Sequence, residues 1–184
     1  PFGNGHMLPK GMLREPVENL ARAHVFVITK AMLGRQNVNL IRQRLREINP
    51  KAEIFESNHE PVRFVDYDSN QPVELMAVLD RKTALLTGIE DPASFERILS
   101  RLGAQIVFAA RFNDHHAFTP AEVREVVRSA QDLGAEYLVT TAKDYYRLSR
   151  VLKRIAAKHR RILVLQIEAQ IEDEEDFIRR CADL

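Results

Sequence analysis

The 184-residue sequence has almost no cysteine and little net charge, and each shortage excludes a class of protein. A single cysteine, Cys181, cannot build an internal disulfide framework, and its solitude suits a reducing compartment. The formal net charge of +1 gives no global argument for nucleic-acid binding. No apolar run is long enough to span a bilayer, and no signal peptide is visible. These shortages predict a cytoplasmic protein.

The sequence also lacks a phosphate-binding loop of the G-x-x-x-x-G-K-[ST] type, and it contains no Gly-Lys dipeptide. Such a loop supplies the amides and the lysine that hold nucleotide phosphates in many kinases. The chain starts without an initiator Met, within a stretch rich in glycine and proline. We therefore expect a fragment of a longer protein.

Short apolar runs alternate with helical patterns along the chain. Hydrophobic residues make up 45% of the sequence and charged residues 29%, which is ordinary for a globular domain. This alternation predicts an α/β fold with a mainly parallel sheet between helices, a three-layer sandwich. Strands are expected at 25–29, 52–57, 83–87, 105–110, 137–141 and 162–167, with a hairpin-like link near 62–80.

Two helices carry clear start and stop signals. Asp91 and Thr119 are expected to cap helices that begin with proline, and Glu122 completes a capping box with Thr119. Gly103 and Gly134 are expected to end the same two helices, because glycine tolerates the left-handed conformation found there.

Two further helices are less sharply marked. Asn37 is expected to cap a helix that carries Leu40, Ile41, Leu45 and Ile48 on its inner face and stops at Asn49-Pro50. A later helix has Leu148 and Leu152 inside and a basic series outside. That basic series could lie on anionic lipid, but it is more typical of a solvated face. Its members are Arg147, Arg150, Lys153, Arg154, Lys158, Arg160 and Arg161.

Asp114, His115 and His116 directly follow a predicted strand and precede a capped helix. Ligands of α/β sheets collect outside the carboxyl ends of the strands. Two imidazoles beside a carboxylate at such a place could move a proton near neutral pH. The alternative is that both histidines pack or hydrogen-bond locally and hold the loop in place.

The opening stretch PFGNGHMLPKGMLREP and the later TTAKDYYRL carry further candidates. Arg14 can bind phosphate with two hydrogen bonds, and Glu15 could contact a magnesium ion or its water shell. An ordinary Arg–Glu pair that pins the loop is the alternative. Lys143 could meet a substrate phosphate or be a surface charge, and Asp144 is expected to cap the helix that follows.

Three blocks in a fixed order, PFGNGHMLPKGMLREP, TGIEDPASF with FNDHHAFTP, and TTAKDYYRL, closely resemble the C-terminal half of the lipid A 4'-kinase (tetraacyldisaccharide 4'-kinase) family. The resemblance implies an enzyme that uses ATP and Mg²⁺ to phosphorylate an acylated glucosamine disaccharide. It implies that the phosphate-binding half is a partner outside this sequence. It further implies a protein peripheral to the inner face of the inner membrane. Ala142 stands where the family has a glutamate, so that carboxylate's role is lost.

The resemblance also implies roles for individual residues. His115 would act on the acceptor hydroxyl together with an aspartate of the other half, with Asp114 orienting it and His116 beside it. Arg14, Lys143 and Asn4 would bind substrate or phosphate, and Glu15 would touch the metal. Residues 1–22 would form a strip of the catalytic cleft that belongs to the N-terminal kinase domain. Residues 23–184 would form the C-terminal α/β domain.

Two rival interpretations remain open at this point. The DHH sequence also names a family of manganese phosphoesterases, and Asp66 and Asp68 could supply its D-x-D element. That family needs a later Gly-rich block that this sequence does not contain, and aspartates are expected in a turn anyway. The second rival is non-enzymatic, either a folded remnant or a module that binds lipid or a partner half.

Overall fold

A computed structural model describes residues 2–31, 35–155 and 161–183, and the chain divides into two compact units. The first unit combines Pro1–Glu60 with Ala169–Leu184, and the second is Pro61–Glu168. Two long strands, Glu53–Asp66 and Arg161–Ile171, each run from one unit into the other. The division expected after residue 22 concerns the domains of a longer protein and stays a prediction.

The first unit is built around a short parallel strand pair. Strand β1 pairs with the first part of β2, from Val25 opposite Glu53 to Thr29 opposite Ser57. Apolar side chains of β1 and helix α1 form its core, in which Phe26, Ile28, Val38 and Leu45 are buried. Its elements are a 3-10 helix at Val17–Arg22, β1 at Val25–Thr29, α1 at Arg35–Ile48, the start of β2 (Glu53–Asp66) and α5 at Glu174–Ala182.

The second unit has a parallel sheet with helices on both faces. Strand β4 (Lys82–Thr87) lies between β5 (Gln105–Arg111) and β6 (Tyr137–Thr141), and β6 pairs in parallel with β7 (Arg161–Ile171). The side chains of β6 alternate, so that Leu138 joins a core cluster with α3 and α4 while Val139 joins one with α2. Its elements are β3 at Pro72–Val73, β4 at Lys82–Thr87, α2 at Pro92–Arg101, β5 at Gln105–Arg111, α3 at Pro120–Asp132, β6 at Tyr137–Thr141, α4 at Ala142–Ile155 and β7 at Arg161–Ile171.

The expected α/β architecture with a mainly parallel sheet and three layers is therefore confirmed in the second unit. The cap signals are confirmed as well. Asp91 accepts a hydrogen bond from the amide of Ser94 at 3.0 Å, and Thr119 and Glu122 form the complete capping box. Gly103 and Gly134, after the helix ends, have φ values of 80° and 74°.

Four local expectations were wrong. The strand expected at 52–57 continues to Asp66, because it carries on into an antiparallel pair with β3. The second arm of the hairpin is only Pro72–Val73, because Leu75–Val78 turns into a 3-10 helix that buries Val78 completely. Helix α1 already includes Asn37, so Asn37 does not cap it. Leu45 is buried as expected, but Leu40 is exposed and Val38 is buried.

The fourth wrong expectation concerns the basic series on α4, of which every member was expected on the solvated face. Leu148 and Leu152 are buried as expected, but Arg147 is turned inward, with its side chain only 22% exposed. It lies there because an ion pair with Asp144 holds it. The side chains of Arg150, Lys153 and Arg154, and residues 156–160, lie outside the described part. None of the helices in that part combines the length and the apolar character of a membrane-spanning segment.

Candidate functional site

Three loops follow the carboxyl ends of neighbouring strands in the second unit, and they carry the polar groups singled out above. Gly88 follows β4, residues 113–118 follow β5, and the first turn of α4 follows β6. We call residues 113–118 the histidine loop. Phe112, just before it, donates its amide to the carbonyl of Thr87 at 2.8 Å, so the loop begins beside the end of β4.

Asp114 is the centre of the most exposed part of this site. Its Oδ1 accepts hydrogen bonds from Lys143 Nζ at 3.1 Å and from the amide of His115 at 3.0 Å. Its Oδ2 lies 3.4 Å from Nε2 of the His115 ring. The hydrogen bond from Lys143 holds the pKa of Asp114 below its usual value, and the neighbouring His115 acts in the same direction. Asp114 therefore stays ionised near neutral pH and can orient the imidazole.

His115 is displayed to solvent by its backbone. Its φ of 61° lies in the left-handed region, and its side chain is 77% exposed. The ring contacts the Asp114 carboxylate on one side. An exposed imidazole with an oriented ring can exchange a proton with a group that approaches from outside.

His116 has a different environment from its neighbour. Its ring stacks on Phe112 with centroids 4.7 Å apart and meets the Phe118 ring edge-on at 5.3 Å. Its Nε2 lies 3.1 Å from Glu122 Oε1 and 3.2 Å from Oε2. These contacts tie the histidine loop to the start of α3, which is the local packing role weighed above.

Glu122 carries more than the helix cap that its spacing predicts. Its Oε2 accepts hydrogen bonds from both the amide and the hydroxyl of Thr119 at 2.8 Å, in addition to the contact with His116. The amide of Thr119, its hydroxyl and His116 together lower the pKa of Glu122 to about 2. The carboxylate is thus charged at any physiological pH.

Asp144 does not cap α4 as expected. The cap is Thr141, whose hydroxyl accepts a hydrogen bond from the amide of Asp144 at 3.0 Å. The Asp144 carboxylate is fully buried and accepts hydrogen bonds from the Thr141 hydroxyl at 2.8 Å and the Gly88 amide at 3.0 Å. Arg147 completes its set of partners. The Thr141 cap is a local pattern, whereas the contact of Asp144 with Gly88 joins residues 56 positions apart and lies beyond helix-start rules.

The opening loop, residues 2–16, lies in the first unit and is held mainly by its own atoms. Asn4 donates from its side-chain amide to the carbonyl of Lys10 at 3.2 Å and accepts from the amide of His6 at 3.2 Å. The backbone is closed by Leu8 N to Leu13 O at 2.9 Å and Gly11 N to Met7 O at 2.9 Å. In this structure the side chain of Asn4 holds the loop.

Arg14 and Glu15 line a cleft of about 790 Å³ in the first unit, together with apolar residues of β1 and α1. Glu15 Oε2 accepts hydrogen bonds from Asn19 at 3.0 Å and Arg22 at 2.8 Å. The Asn19 hydrogen bond is the main reason why the pKa of Glu15 is lowered, with the Arg22 charge next. Glu15 is therefore paired with Arg22, at the end of the 3-10 helix, and Arg14 has no ion pair within residues 2–31, 35–155 and 161–183.

The described residues contain no cluster of three or more His, Cys, Asp or Glu side chains with the geometry to hold a metal ion. Asp66 accepts hydrogen bonds from the amides of Asp68 and Ser69 and from the Ser69 hydroxyl, as an aspartate in a turn does. Cys181 is a free, exposed thiol. Glu15 offers a single carboxylate next to Arg22, so the residues here do not by themselves form a magnesium site.

The predicted site residues thus fall into two groups. Asp114, His115 and Lys143 come together, with His116 beside them, at one edge of the sheet of the second unit. Asn4, Arg14 and Glu15 belong to the first unit. Sequence reasoning missed Gly88 and the inward turn of Arg147. The only local signal was the spacing of Asp144 and Arg147, three residues apart on a helix.

The fold defines a class, the α/β proteins with a parallel sheet, whose ligands as a rule bind outside the carboxyl ends of the strands. A sequence profile of the tetraacyldisaccharide-1-P 4'-kinase family (LpxK) matches residues 1–183, and the chain belongs to this family. The resemblance of the three sequence blocks is thereby confirmed.

Relatives support the same assignment. The tetraacyldisaccharide 4'-kinase of Anaeromyxobacter sp. (strain K) is 35% identical over 184 residues, which is 100% of this chain and 48% of that protein. The protein of the same name from Halothermothrix orenii is 29% identical over 189 residues and is matched over 49% of its length. The chain therefore spans about half the length of the curated relatives it matches.

A solved structure is similar in fold. LpxK from Aquifex aeolicus, crystallised in complex with ATP, aligns with a TM-score of 0.59 and 22% sequence identity. The alignment covers 97% of this chain and 48% of the other. At that identity the likeness shows a shared fold, and the bound ATP is a property of the Aquifex protein.

Proposed function

We propose that this chain is the C-terminal part of an ATP-dependent kinase that phosphorylates the 4'-hydroxyl of a tetraacyldisaccharide 1-phosphate, a step of lipid A biosynthesis. The observation that carries the proposal is the contact between Asp114 and the exposed His115 in a member of this kinase family. An oriented imidazole at the sheet edge is what a kinase needs to take a proton from an alcohol.

In the proposed reaction, His115 accepts the proton of the 4'-hydroxyl through Nδ1 while Nε2–H faces Asp114. The freed oxygen forms a bond with the γ-phosphorus of ATP, and the bond from that phosphorus to the β–γ bridging oxygen breaks. ADP leaves with the electron pair of the broken bond. Asp114 holds the ring in position and stabilises the imidazolium. His116, enclosed by two phenylalanine rings and Glu122, positions the loop rather than accepting the proton.

The cations would bind the phosphates of the two substrates. Lys143 keeps Asp114 charged and, at 52% exposure, is able to meet an incoming phosphate as well. Arg14 has no described ion-pair partner and lines the cleft of the first unit, so its guanidinium is available for two hydrogen bonds to phosphate. Asn4 would contribute indirectly, because it closes the loop that leads to Arg14.

ATP and Mg²⁺ would be bound chiefly by the other half of the protein. This chain contains no P-loop, and Glu15 would add one carboxylate oxygen at the edge of such a metal site. The acyl chains of the substrate support a location at the inner face of the inner membrane, where the protein would be peripheral.

A phosphate-transfer assay tests this proposal. The chain alone and the chain joined to the preceding half of the Anaeromyxobacter sp. (strain K) relative are incubated with labelled ATP, magnesium and the acylated disaccharide 1-phosphate. We expect transfer only by the joined protein. Transfer by the chain alone would require a mechanism without a P-loop. A joined protein that binds ATP and transfers nothing would instead favour the non-enzymatic remnant.

A further inference from the structure

The histidine loop rests against Gly88, and Gly88 is held by a buried carboxylate and a partly buried guanidinium. A Cβ added at Gly88 would lie 3.0 Å from Cζ of Phe118 and 3.4 Å from the carbonyl oxygen of Asn113. Both ends of the loop therefore touch this one backbone position. A side chain here would press on the Phe118 ring and, at 3.3 Å, on Asp144 Oδ1, so these two groups would have to move by a few tenths of an ångström, while Asn113 would stay at ordinary contact distance.

These two charged groups are Asp144 and Arg147, on the first turns of α4. Asp144 Oδ2 accepts from the amide of Gly88 at 3.0 Å, and Arg147 Nη2 donates to the carbonyl of the same glycine at 2.8 Å. The two side chains also bind each other. Asp144 is fully buried, and the side chain of Arg147 is 22% exposed. Both polar groups of the Gly88 backbone are thus fixed by one ion pair.

The same pair also reaches the loop directly. The guanidinium carbon of Arg147 lies 5.8 Å from the centre of the Phe118 ring, within the range of a cation–π contact. Phe118 in turn packs edge-on against Phe112 at 5.2 Å and against His116. Lys143, one residue before Asp144, holds Asp114 from the outer side. The first turns of α4 therefore contact the loop on both sides of His115.

We infer that Asp144 and Arg147 are positioning residues, which set the place of the histidine loop, and with it of His115, by binding both the amide and the carbonyl of Gly88. A buried ion pair contributes little to stability compared with well-packed apolar residues of the same size. Its use here is geometric, because it fixes the backbone position against which the loop packs. Only the consequence for turnover rests on the proposed function.

Hydrogen exchange in the 184-residue chain tests the inference. Two amides report on the loop, Phe112 N bound to Thr87 O and His116 N bound to Asn113 O. Their protection is compared with that of the central strand amides of Leu138 and Thr140 in the same sample. Single changes, Asp144→Asn or Arg147→Met, leave one buried charge without its partner and are expected to lower the melting temperature.

The decisive variant removes both charges, Asp144→Leu with Arg147→Met. We expect it to recover part of the melting temperature lost by the single variants, because no unpaired charge remains, while the Gly88 amide and carbonyl still lack their partners. The two loop amides should still exchange roughly tenfold faster relative to the strand amides than in the unmodified chain. Arg81→Met is the matched control, because it breaks the Arg81–Glu136 pair at the opposite edge of the same strands. The control should leave the loop amides unchanged.

The inference is overturned if the double variant keeps the protection of Phe112 and His116 relative to the strand. It is also overturned if all amides lose protection by the same factor, since the pair would then serve stability alone. In the joined kinase, a double variant with a loosened loop should lose turnover while its KM for ATP stays the same. If the loop is loosened and turnover is unchanged, Asp144 and Arg147 still position the loop, and the result counts against the proposed role of His115.

Discussion

The opening loop and the histidine loop are both rich in unusual residues, yet they are held in different ways. The opening loop closes mainly on itself through Asn4 and its own backbone, while Met12 is 78% exposed. The histidine loop is anchored by three other elements, α3 through Glu122, α4 through Arg147 and the end of β4 through Gly88. The histidine loop therefore contributes Phe118 to a core cluster, whereas the opening loop contacts the core of its unit through the partly buried Phe2 and leaves Met12 in solvent.

This contrast shows that unusual residues in a motif can either hold a loop in place or remain available for binding. In the histidine loop, most unusual residues serve to hold the loop, which leaves His115 displayed. In the opening loop, few side chains are used for packing, so Arg14 is left with its charge unpaired among the described residues. Each loop thus offers one candidate side chain for chemistry. His115 is exposed because its neighbours hold the loop, and Arg14 is available because its own loop uses few side chains for packing.

The largest difference between the loops should be in stability. Phe118→Ala removes a ring that is 7% exposed and packed in a core cluster, so it should cost about 3–5 kcal/mol of unfolding free energy. Met12→Ala should change the unfolding free energy by less than about 0.5 kcal/mol, because that side chain buries little. Urea unfolding of both variants measures the two effects. Equal losses would mean that the opening loop is also part of the core.

Arg14→Ala tests whether the opening loop binds phosphate. Loss of a guanidinium that binds phosphate should raise the KM for ATP or lipid in the joined kinase by about tenfold to a hundredfold, since hydrogen bonds to charged groups are worth ~1.5–3 kcal/mol. Steady-state kinetics is the measurement. Arg44→Ala, an exposed arginine paired with Glu47 on α1, is the matched control. Unchanged kinetics for Arg14→Ala would remove it from the phosphate site.

Glu122→Gln tests the anchor of the histidine loop through pH. The pKa of Glu122 is about 2 in the folded chain and 4.5 ordinarily, so its charge stabilises the fold above pH 4.5. That stabilisation is lost as pH falls from 4.5 towards 2. The melting temperature of the unmodified chain should therefore fall more steeply between pH 4.5 and pH 2 than that of Glu122→Gln.

Glu125→Gln, on the same helix but exposed, serves as the control for that experiment. It should follow the unmodified chain at every pH. If the Glu122 and Glu125 variants show the same pH dependence, the contact between Glu122 and the loop does not contribute to stability.

The smallest effect on global stability is expected at Gly11. A Cβ at this position would overlap the carbonyl oxygen of His6 and the side chain of Asn4, so Gly11→Ala must open the loop. We expect faster exchange of the Leu8 and Leu13 amides with a melting temperature close to that of the unmodified chain, because Gly11 and its neighbours Leu8 and Met12 are not part of the core. Lys10→Ala is the control. A large drop in melting temperature would contradict the contrast between the loops.

Several elements could be predicted from the sequence because their signals are local. The caps at Asp91 and Thr119, the apolar strand at 25–29 and the inner face of α4 depend on residues within a few positions of one another. The length of β2 could not be predicted, since it depends on pairing with β3 across a turn. The same limit applies to the hydrogen bond from Arg147 to the carbonyl of Gly88, because the two residues are 59 positions apart in the chain.

The sequence predicted which residues form the candidate site, but it did not predict which histidine is exposed and which is packed. The spacing pointed to Asp114, His115 and His116 as one group, but the structure surrounds one imidazole with rings and exposes the other. Only the tertiary contacts of Phe112, Phe118 and Glu122 distinguish the two histidines. Lys143 likewise had two open interpretations until its distance of 3.1 Å to Asp114 was known.

The most direct measurement is a pair of variants, His115→Ala and His116→Ala, in the joined kinase, with turnover and melting temperature determined on the same samples. We expect His115→Ala to lower kcat by about 10²–10⁴-fold, as loss of a general base does, with an unchanged KM for ATP and an unchanged melting temperature. His116→Ala should lower the melting temperature. If His115→Ala keeps its turnover number, or loses it only in proportion to unfolded protein, His115 is not the proton acceptor.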